Sequence, residues 1–430
     1  MGLGLHLQAT LGPETLQTFD DPLSEIVTVV SDHAEASGLR VFFLPHRSDG
    51  KLGLELHPAA EWVEFALYEG GTLSCMAKTS TVGPGYHRYL VDILDAIALH
   101  LGISWQTDEE ASGDDTGYLE HREFARLQHE MATLLENLAA IIHEQHTKGL
   151  RGLMLNMPVH YTVANIDGIV TPGGIIPAPS FEEALQPGFD ISAFAERFFL
   201  WWDEGLTAAT WRNIGLALLW CEVPWHVPND EREFTICKNA LFCFGRSLAL
   251  DPHIALPESE IGELTSFLAD DADWATEAAA TGIGYRRLGW NRDIGGGWVI
   301  ETPGSFYARV EDDNATEVFW LGEKEIWCTS YALEPAKPVS LVDLDSDLRP
   351  DSLIVEKNGF VGCANATLKQ DADGVDYITM SCLLKAPGTF ATVTIVYPSD
   401  ASAWAERVFR SIRFEPKPEQ AEQVAPHAQT

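Results

Sequence analysis

The sequence predicts an α+β protein of several domains, and three observations lead there. Residues 39–80 hold short β-rich segments split by Ser-Asp-Gly and Gly-Gly turns, with helical patterns on either side. From Phe189-Asp190 the apolar residues fall at helical spacing. From Gly284 onward apolar and polar residues alternate between glycine, aspartate and asparagine turns, as in a half-buried antiparallel sheet. The expected partition of the 430 residues is a mixed α/β domain over 1–148 ending in a long helix, junction strands and a helical region over 149–280, an antiparallel α+β domain over 281–416, and a disordered tail over 417–430.

The N-terminal elements follow from local signals. "DPLSEIVTVVSDHAEASG" predicts a helix with Asp21 as N-cap, Pro22 in the first turn and Gly38 at its end. "LRVFFLP", "KLGLELH", "EWVEFALYE" and "TLSCMAKTS" are the strand candidates. Gly83-Pro84-Gly85 makes a turn ahead of a helix whose Leu90, Ile93, Leu94, Ile97 and Leu101 share one face. No Lys, Ser or Thr follows that turn at phosphate-loop spacing.

After the acidic loop "QTDEEASGDDTG" a long helix is expected from about Tyr118 to Lys148. At 100° per residue its His121, His129, His143 and His146 fall in roughly a 100° arc beside the apolar stripe. "HEQH" is not the H-E-x-x-H of zinc hydrolases, and His129 lies about two dozen ångströms along the axis from His146. One ion would take at most His143 and His146, with further ligands from elsewhere. Residues 152–180 supply strands and Pro/Gly turns and serve as the domain junction.

Five of the thirteen tryptophans lie between Phe198 and Trp225. Trp211, Ile214, Gly215 and Leu218 share one helical face, with Gly215 admitting a close neighbour. Ala240, Phe244, Ser247 and Pro252 follow at the spacing of the second helix of a tetratricopeptide repeat. The segment therefore resembles one such helical hairpin, with about a dozen residues inserted and no full array. Trp211 and Trp220 read as packing. Trp202 and Trp225, beside a charge and a proline, are the candidates for exposure and for binding a partner.

In the last third, hairpin signals stand at Asn358-Gly359 and Asp373-Gly374, and Asp400 or Ser399 caps a helix carrying Trp404, Val408 and Ile412 on one face. Asp343, Asp345 and Asp347 open like a calcium loop, but Leu348 and Ile354 occupy the positions that need glycine and glutamate. The opening Gly-Gly-Trp strand, the strand "TFATVTIVYPSD" and the closing helix "AWAERVFRSIRF" make residues 281–416 resemble the Mog1/PsbP-like fold, which includes adaptor-type proteins of type VI secretion. The resemblance implies partner binding and transfers no catalytic residue.

With 64 acidic against 28 basic residues, the formal charge is −36. Such a field repels nucleic acid and anionic membrane and draws in basic partners, although a merely acidic, solubilising surface has the same composition. No apolar run reaches the roughly 18–20 residues of a membrane span, and the first residues lack a leader pattern, so a cytoplasmic protein is expected. None of the seven cysteines forms a C-x-x-C pair, and buried thiols are expected. G-x-S-x-G, H-E-x-x-H, Walker and dinucleotide patterns are absent, and no cofactor is expected. The composite expectation is an intracellular bacterial protein-binding protein, an immunity (antitoxin) or secretion-accessory protein whose partner is a basic toxin or secreted effector. The alternative is an enzyme, a metal-dependent hydrolase using His143 and His146, with His87 and Glu144 as further suspects.

Overall fold

The computed structural model describes residues 2–106, 113–155, 157, 168–279, 281–313, 315–333, 339–344, 347–357 and 359–416. Residues 107–112 of the acidic loop, residues 156 and 158–167 of the junction, Asp345, Asn358 and the C-terminal tail lie outside the described residues. By its contacts the chain divides into two compact units where three folded segments were expected: residues 1–159, 165–223 and 232–261 form the first, and 160–164, 224–231 and 262–430 the second. The chain is α+β with several antiparallel sheets.

In the first unit, β1 (Gly4–Thr10) precedes α1 (Pro13–Thr18) and α2 (Pro22–Ser37). Asp21 caps α2 by accepting from the amides of Leu23 and Ser24, and Gly38 ends it at φ +80°, as the sequence requires. β2 (Leu44–Ser48), β3 (Lys51–Glu55), β4 (Val63–Tyr68) and β5 (Thr72–Lys78) follow, then α3 (Pro84–Leu101) and β6 (Gly113–Asp114). The sheet order is β2-β3-β4-β5-β1-β6, antiparallel throughout. The expected α/β character is thereby corrected to α+β. Short turns join β2 through β5, and only antiparallel pairing accepts connections that short. One sheet face supplies Leu5, Phe65, Cys75 and Ala77 to a crevice shared with Leu90, Ile93 and Leu94 of α3.

The helix expected over 118–148 is broken in two. α4 (Tyr118–His121) stops where Arg122 turns left-handed at φ +55°, and α5 (Phe124–Thr147) begins after extended Glu123. β7 (Leu153–Met154), β8 (Ile169–Thr171) and β9 (Gly174–Ile176) make a small three-stranded sheet. α6 (Ala178–Ala184), α7 (Ile191–Phe198), α8 (Ala208–Ala217) and α9 (Glu231–Leu250) follow, and α10 (Glu258–Phe267) carries the chain into the second unit. Gly215 does admit a close neighbour, because a Cβ there would strike the ring of Phe244.

Beyond residue 148 the chain keeps contact with the segment before it: α5 packs against α6 and α7, and Trp201 joins the turn before α3. The Trp201 amide donates to Val82 O, and the Gly85 amide donates to Trp201 O, both at 3.0 Å.

In the second unit, β10 (Gly289–Asp293), β11 (Trp298–Pro303) and the terminal β19 (Arg413–Phe414) form one sheet. The other has seven strands: β12 (Tyr307–Val310), β13 (Thr316–Leu321), β14 (Lys324–Ala332), β15 (Leu353–Lys357), β16 (Phe360–Gln370), β17 (Asp376–Ala386) and β18 (Thr389–Tyr397). Its order is β12-β13-β14-β18-β17-β16-β15. α11 (Ser402–Ser411) contributes Ala405, Val408 and Phe409 to a core with Trp298, Ile300, Phe319 and Ile395. Its cap differs from expectation. Ala401 stands at the N-cap without a side-chain bond, because residues 399–401 form a 3₁₀ turn that feeds directly into the helix.

Candidate binding cleft

α7 and α8 are fixed by their caps before any site is considered. Asp190 accepts from the amides of Ser192 and Ala193, both at 3.1 Å. Thr207 accepts from the Thr210 amide and donates to Asp203 at 2.7 Å. The nine residues between the helices, 199–207, end in the Thr207 cap. Asn213 reaches back to donate to Leu200 O at 3.2 Å, and Gln128 of α5 donates to Trp202 O at 3.1 Å.

These ties hold open a cleft of about 270 Å³ lined by Trp202, Glu196, Arg197, Asp203, Arg212 and neighbouring small residues. Trp202 is half-buried and stacks on Phe199, with ring planes 11° apart and centroids at 6.0 Å. Arg212 donates to Asn213 Oδ1 at 3.1 and 3.3 Å, and Arg197 donates weakly to Ala193 O at 3.4 Å. Neither arginine has a carboxylate within ion-pair distance among the described residues. The lining therefore offers an aromatic face, two cations and two anions to whatever enters.

Trp225, the second exposure candidate, is fully buried. It adopts φ +58° and belongs to the second unit, where the Arg287 guanidinium lies 3.4 Å from its ring centroid. Arg287 also pairs with Glu263 and donates to Ala279 O and Ile283 O, so the indole is sealed beneath a fully used cation. The neighbouring proline signalled a turn and not solvent. Trp211 is buried as expected, and Trp220 is partly buried.

The candidate metal ligands His143 and His146 come together on one carboxylate. His143 Nδ1 and His146 Nδ1 face the same Glu182 oxygen at 3.7 and 3.5 Å, joining α5 to α6 near the surface. Among the described residues no group of three His, Cys, Asp or Glu side chains is placed to hold a metal ion. Glu144 turns instead to Lys148, and that partner lowers its carboxyl pKa.

His87 has partners that sequence spacing did not reveal. Thr79 Oγ1 meets its Nδ1 at 2.8 Å, while Asp114 Oδ2 and Thr116 Oγ1 meet its Nε2 at 3.2 Å. Burial opposes ionisation of Asp114, but the His87 hydrogen bond and charge, with the Leu119 amide and Thr116 hydroxyl, outweigh it and bring the carboxyl to about 2. The arrangement copies the hydroxyl–imidazole–carboxylate order of a nucleophilic triad. The side chains of His87 and Asp114 are 0% and 2% exposed, however, so no substrate reaches them. The cluster ties β6 to α3.

No family model matches the chain, and no curated protein matches it. Among solved structures, 28% of the chain is similar to a crystal structure from Bacteroides thetaiotaomicron, at 12% identity and a TM-score of 0.24, and the match covers 46% of that protein. The chain thus spans less than half of this relative's length. A second similarity, over 27% of the chain, is to the solution structure of cyanobacterial PsbP (CyanoP) from Synechocystis, at 11% identity and a TM-score of 0.16, covering 86% of that protein. Likenesses of this size leave the fold to be argued from its own strand order. Among the described residues no helix is long and apolar enough to cross a membrane.

Proposed function

We propose that the chain is a protein-binding protein whose partner is basic. The observation that carries this reading is the excess of 64 acidic over 28 basic residues. Surface charge of one sign accelerates encounter with a partner of the other and rejects polyanions. The cleft at Trp202 suits the reading. A half-buried indole in a polar-rimmed recess is the kind of anchor point that dominates interface energetics, and Glu196 and Asp203, beside Arg197 and Arg212, offer carboxylate partners for a cationic side chain.

The finer form of the proposal is an immunity or secretion-accessory protein that occludes or escorts a basic toxin or effector, with 281–416 as a Mog1/PsbP-like domain. In its support, that segment holds a long antiparallel sheet closed by a single C-terminal helix.

The test is capture of partners from native lysate by the immobilised full chain, at low and at high salt, beside the Trp202→Ala variant. A basic protein retained at low salt, released as ionic strength rises and held less well by the variant supports the proposal. Recovery of no basic protein at low salt, or salt-independent capture unchanged by the variant, overturns it.

A further inference from the structure

The second unit holds two arginines whose surroundings are incomplete. β10 and β11 pair so that Trp290 lies opposite Thr302 and Arg292 opposite Ile300. Directly paired residues share a sheet face, as do residues two apart along a strand. Trp290, Arg292, Ile300 and Thr302 therefore point the same way. Ile300 is wholly buried in the core with Phe319, which makes this the inward face. On the other face, Asn291 accepts from Arg413 at 2.9 Å, as expected of an outer surface.

A charged side chain is thus aimed inward. The Arg292 guanidinium lies 5.2 Å from the Phe319 ring centroid and 5.3 Å from that of Trp290, while the Arg286 guanidinium lies 5.2 Å from Trp290. The Nε atoms of both arginines, and the hydroxyl of Thr302, are buried without a hydrogen-bond partner. Among the described residues neither arginine makes an ion pair. The two cations also repel each other. Burial and then the charge of Arg286 lower the Arg292 pKa to about 10. Glu317 acts in the other direction on Arg292 without pairing with it, and its own carboxyl pKa is raised first by burial and then by Asp293.

Arg286 and Arg292 are partly buried, and charged donors enclosed in this way are ordinarily paired or hydrogen-bonded, because removing them from water is otherwise unfavourable. In a chain with more than twice as many acids as bases, two guanidiniums sharing one indole with no ion-paired carboxylate among the described residues is the opposite of what composition favours. We propose that Arg286, Arg292 and Thr302 form a binding site for a small oxyanion, a phosphate or a carboxylate, seated beside Trp290. Guanidinium N–H groups present paired donors that match two oxygens of such a group, and a hydroxyl adds a third donor. Cation–π contact with the indole holds the cations beside it. This site is separate from the Trp202 cleft, and the inference does not depend on the proposed partner.

The test is thermal unfolding of the full chain titrated with sodium phosphate, and separately with sodium succinate, against sodium chloride of matched ionic strength. A ligand that binds only the folded state raises the unfolding midpoint and saturates. The expected result is a saturable rise with phosphate or succinate that chloride does not reproduce, with the apparent affinity at least tenfold weaker in Arg292→Met. Arg286→Gln serves if Arg292→Met fails to fold. A response to phosphate alone marks a phosphate site, and a response to succinate alone marks a carboxylate site. No saturable rise with either anion, or an equal rise in the variants, overturns the proposal.

Discussion

The indole of Trp201 occupies the space into which a side chain at position 85 would project. A Cβ on Gly85 would fall within the Trp201 ring and against the carbonyl of Asp203, while the Gly85 amide is committed to Trp201 O. Glycine inside a helix is ordinarily about 1 kcal/mol worse than alanine, so Gly85→Ala would stabilise an unconstrained helix. Here the sign reverses. The substitution is expected to destabilise the first unit by about 1–3 kcal/mol or more through overpacking. Urea unfolding followed by circular dichroism checks it, and a variant as stable as the parent would refute the packing argument.

The buried His87–Asp114 pair gives a pH signature. Asp114 titrates near 2 in the folded chain and near 3.9 when unfolded. Its folded pKa is depressed, so its contribution is present above the unfolded value and is lost as pH falls through the folded one. The magnitude is on the order of 2 kcal/mol. Asp114→Asn is therefore less stable than the parent at pH 7, and the gap narrows as pH falls from about 5 towards 2. Denaturant midpoints of both proteins across that range report it. Carboxylates elsewhere act equally on both and cancel, and a gap constant with pH would contradict the pairing.

Asp21 does two things that mutation separates. It caps α2, and it holds Arg47, whose Nη2 donates to Asp21 Oδ1 at 3.0 Å. Both side chains of that ion pair are well exposed, and exposed pairs contribute little. Asp21→Ala is expected to cost about 1 kcal/mol through the lost cap, and Arg47→Ala clearly less. Equal losses in equilibrium unfolding would show that the ion pair, not the cap, carries the effect.

Which features the sequence disclosed follows from how local their causes are. The cap at Asp21, the stop at Gly38, the face of α3 and the hairpin at Asp373-Gly374 depend on a few adjacent residues, and each is found where expected. The burial expected for the seven cysteines also holds. The break at Arg122 is less local, because its guanidinium leaves the helix line to bond Asp95 at 2.9 Å. β1 was not anticipated, although Leu5, Leu7 and Ala9 alternate with exposed His6, Gln8 and Thr10. Its alternation over seven residues was the available signal. The contacts across residues 149–177 have a tertiary origin. Glycine and proline around 149–177 look like a linker, while Trp201 and Gly85, 116 positions apart in sequence, bind the two sides into one unit. The His87 cluster was equally invisible, because Thr79, His87 and the neighbouring pair Asp114 and Thr116 come from three segments brought together by the fold.

The two tryptophans singled out by their neighbours are expected to separate in the laboratory. Trp225 is wholly enclosed and covered by Arg287. Its truncation removes the largest kind of buried side chain and strands a cation that also pairs with Glu263. Trp225→Ala is expected to cost about 3–5 kcal/mol, seen as a lower unfolding temperature of the second unit. Trp202 is half-buried at the cleft, and its backbone carbonyl bond to Gln128 survives side-chain truncation. Trp202→Ala should therefore retain most of the parent stability while weakening capture of a basic partner. Comparable losses of stability in both variants, with partner capture unchanged by Trp202→Ala, would make both rings structural and leave the cleft without its proposed anchor.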